Sequence, residues 1–160
     1  MAAHPPRRAR VLVVDDEHRS AATLVRVLRA AGFDAASVRS GADAVPVMLH
    51  EQVAAVVVSF AGRGVAATTE LVAILRARPE PALGGAGIVV VVDAARDARL
   101  GLDAEADAVL LRPIDAVALA DAVTDVAATD HDTRRARRAR RTAAVDPGSY
   151  FRPRAGLGVE

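Results

Sequence analysis

A chain of 160 residues with 52% apolar content can form one domain with a hydrophobic core, and its formal net charge is only +1. It has no Cys, which excludes disulfides, thiolate nucleophiles and Cys-ligated zinc, and all 21 basic residues are Arg, which excludes phosphate-loop lysines and Schiff-base chemistry. The charge is uneven: residues 1–10 sum to +3, residues 11–130 to −7 and residues 131–160 to +5, so an acidic body lies between two basic ends.

Strand and helix patterns alternate along residues 10–129. Val11, Leu12, Val13 and Val14 form a short β-branched run ended by Asp15 and Asp16. Leu24, Val27, Leu28 and Ala31 follow at helix spacing, with Gly32 where a C-cap belongs. Residues 33–38 make a weak strand. Ser40 with Asp43 resembles a capping box, and Pro46 should kink or shorten the helix that follows. Residues 53–58 are a buried-strand pattern ending at Ser59. A helix is expected over 68–77, carrying Leu71, Ile74 and Leu75 on one face. Pro79, Pro81, Gly84, Gly85 and Gly87 then mark a loop.

Residues 88–92 are five β-branched positions ending at Asp93. A short helix near 94–102 leads to a last strand at 108–111, ended by Arg112 and Pro113. Asp115 can cap a final helix bearing Val117, Ala120, Val123 and Ala127. Five βα units with continuous apolar strands imply an open parallel sheet covered on both faces. In such sheets the chemistry sits at the carboxyl ends of the strands. The residues there are Asp15, Asp16, Ser59, Asp93 and Arg112.

The segments Val-Leu-Val-Val-Asp-Asp-Glu at 11–17 and Ala-Asp-Ala-Val-Leu-Leu-Arg-Pro-Ile-Asp at 106–115 resemble the opening and closing motifs of the receiver domain of bacterial two-component response regulators. The resemblance spans roughly residues 9–128. It implies a flavodoxin-like three-layer αβα sandwich with five parallel strands in the order 2-1-3-4-5. In that family an acidic pair after strand one binds Mg²⁺, and an Asp after strand three accepts a phosphoryl group from a histidine kinase. A Thr or Ser after strand four and a Lys before the closing Pro contact the phosphoryl oxygens, and an aromatic residue on strand five relays the signal.

This chain keeps the acidic pair as Asp15 and Asp16 and the Pro as Pro113. The acceptor position is Ser59, the Thr position Asp93, the Lys position Arg112 and the aromatic position Val109; Ala61, Gly62, Arg63 and Gly64 stand where a Met-Pro turn is usual. A serine hydroxyl is not ionised and has no adjacent base here, so aspartyl phosphorylation at this position is lost. Two roles for the pocket follow. Arg112 can pair with Asp93 or Asp16 and lock the pocket in place of a cation, or Asp15, Asp16 and Asp93 can hold a divalent ion such as Mg²⁺. A regulator that still responds to phosphate, through Ser59 or Asp93 as a non-standard acceptor, is a third, remoter route.

The whole is expected to be an atypical, stand-alone receiver: not an enzyme, and acting by protein contact on a histidine kinase, an output protein or a second copy. The resemblance places that contact on helix four, strand five and helix five, here residues 94–128.

Outside this body, residues 1–9 read as an arm and residues 130–160 as an Arg-rich, disordered tail, although the Arg/Ala run could extend the last helix with its charge solvated. Arg134, Arg135, Arg137, Arg138, Arg140 and Arg141 could contact the phosphates of a nucleic acid or another polyanion, or fold back on the acidic body. Tyr150 and Phe151, flanked by Arg152 and Arg154, could form a docking motif. His4, His18, His50 and His131 show no metal spacing, and the Gly clusters at 62–64 and 84–87 form no dinucleotide fingerprint. No apolar run nears the roughly 18 residues of a membrane span. The apolar stretch after the basic start is too short for a signal peptide, so a soluble, cytoplasmic protein without a membrane partner is expected.

Overall fold

Strands made of consecutive β-branched residues must be covered on both faces, and this chain builds its sheet around them. The computed structural model describes residues 7–143. Five parallel strands, β1 (Arg10–Val14), β2 (Asp34–Val38), β3 (Ala55–Val58), β4 (Ile88–Val92) and β5 (Ala108–Leu111), form one sheet in the order β2-β1-β3-β4-β5. The helices are α1 (His18–Ala30), α2 (Gly41–His50), α3 (Val65–Arg76), α4 (Pro81–Gly84), α5 (Ala95–Asp103), α6 (Ala116–Ala128) and α7 (His131–Ala143). The fold is the three-layer αβα sandwich expected, with the expected strand order.

The strand period of two sorts the core into two layers. Val11, Val13, Val57, Val89 and Val91 face α1 and α6 and meet Leu24, Val25, Leu28, Leu119 and Val123. Leu12, Val14, Val56, Val58, Ile88 and Val90 face the other way and meet Met48, Leu71, Val72, Leu75 and Leu83. Burial of each such Val, Leu or Ile contributes about 1.5–3 kcal/mol. On that second face α5 approaches closely because Gly101 has no side chain; a Cβ there would lie 3.0 Å from Val109 Cγ2 and 3.4 Å from Val90 Cγ1. The position aligned with a relay aromatic, Val109, is therefore packed against a glycine.

The caps follow the sequence. Glu17 accepts from the backbone N–H of Arg19 and Ser20 at the start of α1, Ser40 from Asp43 N–H at α2, and Asp115 from Val117 and Ala118 N–H at α6. Gly32, at φ 97°, ends α1 in the left-handed conformation. One feature differs from expectation. The breaker-rich loop contains the short helix α4, started by Pro81 at its first turn and anchored by buried Leu83. Pro46 lies within α2, which runs for 10 residues.

The larger correction concerns the expected disordered tail at 130–160. Residues 131–143 form α7, and its arginines at 134, 138 and 141 are not solvated but turned onto the body. Spacings of four and three residues put those three side chains on one face of a helix. The N-terminal residues 1–6 and the segment 144–160, with Tyr150 and Phe151, lie outside the described residues.

Candidate functional site

Each strand of a parallel sheet delivers its last residue to the same edge, so the five sequence-predicted positions meet at the carboxyl ends of β1, β3, β4 and β5. Ser59 is fully buried, and its N–H donates to Val14 carbonyl at 2.9 Å. Its Oγ accepts a hydrogen bond from Arg112 Nη2. The same guanidinium donates to Asp93 Oδ1 from Nη1 at 3.1 Å. Arg112 thus bridges the ends of β3 and β4 from its place at the end of β5. Of the two sequence-predicted partners it pairs with Asp93, not Asp16. Asp93 is open to water, with 62% of its side chain exposed, against 20% for Arg112. The Arg112–Pro113 peptide is cis.

The acidic pair serves the loop that follows Ser59. Asp15 is buried, and its Oδ1 accepts from Glu17 N–H at 3.0 Å and from Ala61 N–H at 3.2 Å. Asp16 Oδ1 accepts from Gly62 N–H at 3.1 Å. A Cβ on Gly62 would come within 2.7 Å of Asp16 Oδ2, so only glycine lets this loop approach that carboxylate without displacing it. Thr68 Oγ1 accepts from Phe60 N–H at 3.3 Å and fixes the other side of the turn. The guanidinium of Arg63 stacks 5.4 Å from the Phe60 ring centre.

A divalent cation needs several oxygen ligands around one point. Asp15 Oδ2 is buried and has no hydrogen-bond partner, which is the one feature in favour. The donor set stops there and at Asp16. Among the described residues no group of three or more His, Cys, Asp or Glu is placed to hold a metal ion. The third corner is Ser59, whose Oγ already receives a cationic side chain, and Asp93 is turned to Arg112. These residues do not fit the metal centre that the resemblance implies.

A second cluster, which sequence reasoning missed, lies at the opposite, amino ends of the strands. Asp107 immediately precedes β5 and its side chain is 5% exposed. Its Oδ2 accepts from Ile88 N–H at 2.8 Å and from Arg76 Nη2 at 2.9 Å, and its Oδ1 accepts from Arg138 Nη1 at 2.5 Å. Arg134 lies 3.7 Å away. Several other guanidinium N–H groups of the cluster go to carbonyls, while Arg134 Nε is buried without a hydrogen-bond partner. Arg76 takes those of Gly84, Ala86 and Glu105; Arg134 those of Gly85, Val126 and Thr129; Arg141 those of Ala106 and Asp107. The carbonyls of Gly84, Gly85, Ala86, Val126 and Thr129 lie at or just beyond the C-terminal ends of α4 and α6, and those of Glu105, Ala106 and Asp107 lie in the turn between α5 and β5. Burial pushes the Arg76 guanidinium below its ordinary range, against the pull of Asp107. The signal available in the sequence was the arginine stripe at 134, 138 and 141; nothing local to Asp107 showed that it would face that stripe.

The six arginines read as polyanion contacts are therefore split. Arg134, Arg138 and Arg141 face inward. Arg135, Arg137 and Arg140 are exposed, with Arg137 paired to exposed Asp125 at 3.2 Å. No helix of the described residues is long and apolar enough to cross a membrane.

Solved structures place this fold. The chain is similar to a sensor protein from Polaromonas sp. JS666, with 25% identity and a TM-score of 0.65 over 79% of this chain and 98% of that one. It is similar to a CheY-like response regulator receiver domain from Methylobacillus flagellatus, with 26% identity and a TM-score of 0.62 over 74% and 98%. A response regulator receiver protein from Pseudomonas putida gives 22% identity and a TM-score of 0.62 over 76% and 99%. No protein-family model matches the sequence, and no curated protein matches it. The chain has the receiver-domain fold, the fold of the response regulators of two-component signal transduction. At its strand ends this chain carries Ser59, Asp93 and Arg112, and after α6 it continues into α7.

Proposed function

We propose that this protein is an atypical receiver that works in two-component signalling through protein–protein contact, without catalysis of its own and without conventional aspartyl phosphorylation. The observation that carries this is the bridge from Arg112 to Ser59 and Asp93. A carboxylate nucleophile would have to stand where Ser59 is, and a cation would have to offset its charge. Here the hydroxyl is neutral and held by an internal cation, so the pocket rests in one arrangement instead of cycling with phosphate. The exposed carboxylate of Asp93 also repels an incoming phosphoryl group.

The contact surface on this reading is formed by α5, β5 and α6. β5 is an edge strand, with all four residues partly exposed, and Leu100 on α5 and Val117 on α6 are exposed large apolar residues at 48% and 69%. That edge suits a histidine kinase, an output protein or a second copy of the chain. Incubation with a small phosphodonor and Mg²⁺, followed by intact mass spectrometry, should leave the mass unchanged. A stoichiometric, Asp15-dependent gain of one phosphoryl group would overturn the proposal.

A further inference from the structure

Among the described residues, α7 is joined to the body in a way that no other helix is. Its only buried residue is Arg138, and its docking contacts are guanidinium groups on a carboxylate and on backbone carbonyls. The helices α1 and α6, by contrast, are held by apolar stripes. An apolar stripe has no rival partner in water. A row of arginines does, since phosphate oxygens accept the same hydrogen bonds in the same forked geometry.

The body would survive the loss of α7. Arg76 and Ile88 both belong to the body, and both keep their bonds to Asp107 when the arginines of α7 leave. Asp107 would then remain paired, so release strands no buried charge on the body. The three exposed arginines of α7 offer a first foothold for a polyanion while the other three are still docked.

We propose that α7 is a nucleic-acid-binding helix kept in reserve: Asp107 and the nearby carbonyls hold Arg134, Arg138 and Arg141, and docking on the body competes with binding to a phosphate backbone. The proposal is independent of how the strand-end pocket works. Competition of this kind is reciprocal, so weakening a predominantly docked α7 strengthens binding until the released state dominates.

The test uses the full chain and a fluorescein-labelled 20-base-pair DNA duplex of arbitrary sequence, with affinity measured against salt. Asp107→Asn can keep the bond from Ile88 N–H while removing the charge that holds Arg138. It should bind about tenfold more tightly than the native chain, equivalent to about 1.4 kcal/mol. Its log–log salt slope should steepen by about 2–3, because each added phosphate contact contributes about 0.9. Equal or weaker binding by Asp107→Asn, or no binding by either protein, would overturn the proposal. A second measurement needs no variant. Hydrogen exchange of the native chain with saturating duplex should show the backbone amides of residues 135–143 altered in protection while those of β1 and β3 stay unchanged. Continued bonding of Arg134, Arg138 and Arg141 to the body in a structure of the complex would equally sink the idea.

Discussion

The two ends of the sheet use the same charges in inverse proportion. At the carboxyl ends three aspartates, Asp15, Asp16 and Asp93, share the strand ends with one arginine, Arg112, which pairs with Asp93 alone of the three. At the amino ends four arginines, Arg76, Arg134, Arg138 and Arg141, surround one aspartate, Asp107. The difference that matters is water. Asp107 and Arg76 are each 5% exposed at the side chain, whereas Asp93 is 62% exposed. A buried pair holds elements together because removing one partner leaves an uncompensated group in a dry place. An exposed pair is cheap to break, and its geometry can change with a partner or a ligand. The carboxyl end is therefore the responsive pole and the amino end the structural one, with α7 as the part of the structural pole that can be withdrawn.

The sharpest way to break this contrast is Arg76→Ala. It removes the cationic partner of Asp107 Oδ2, leaving the Ile88 N–H, and strands the carbonyls of Gly84, Ala86 and Glu105. The expected loss is about 3 kcal/mol of unfolding free energy, read from the midpoint in urea. A loss below about 1 kcal/mol would mean that the amino pole is no more structural than the other.

Arg112→Ala is the matched experiment at the carboxyl pole. Its partner Asp93 is well solvated, so the ion pair itself contributes little, and the main cost is the buried Ser59 hydroxyl left without a partner. The expected loss is about 1 kcal/mol in the same urea titration. A loss equal to that of Arg76→Ala would remove the distinction between the poles.

Much of this was legible in the sequence. The parallel sheet covered on both faces follows from continuous β-branched runs alternating with helices of familiar spacing, whereas the strand order was implied by the resemblance to the receiver domain. The residues Asp15, Asp16, Ser59, Asp93 and Arg112 were placed together because each ends a strand of one parallel sheet, and geometry then requires them to meet. Between Asp93 and Asp16 as partners of Arg112, sequence left the choice open; it depends on side-chain reach across neighbouring strands, which no local pattern encodes. The amino pole was legible only as the option that the Arg run folds back on the acidic body; its centre at Asp107 was not. Asp107 precedes its strand as an ordinary polar residue, and Arg76, Arg134 and Arg138 reach it from two helices distant in sequence. The expected disorder of residues 131–143 followed from composition alone, because six arginines in eight residues bury no apolar surface. What orders them is the ring of helix ends beneath, a property of the assembled fold.

The smallest effect compares the two poles through their caps. Glu17 starts α1 by accepting from Ser20 N–H at 2.6 Å and Arg19 N–H at 3.1 Å, and these bonds hold its carboxyl below the usual range. Asp130 starts α7 by accepting from Thr133 N–H at 2.9 Å and from the Thr133 hydroxyl at 2.7 Å, and it is lowered for the same reason. A carboxyl whose folded pKa lies below its unfolded value, roughly 4, stabilises the fold above that value. The contribution fades as pH falls through the folded pKa. Both caps therefore weaken in acid, with the same sign. Their consequences differ, because α1 remains pinned by Leu24, Val25 and Leu28 while α7 has no buried apolar residue to hold it. Acidification from pH 7 to about 3 should cost the Thr133 amide its exchange protection before the Ser20 amide. Asp130→Asn, which keeps a good capping oxygen without the charge, should flatten the response at Thr133 alone. Simultaneous loss at both amides would show that α7 is fastened as firmly as α1 and that the amino pole has no detachable part.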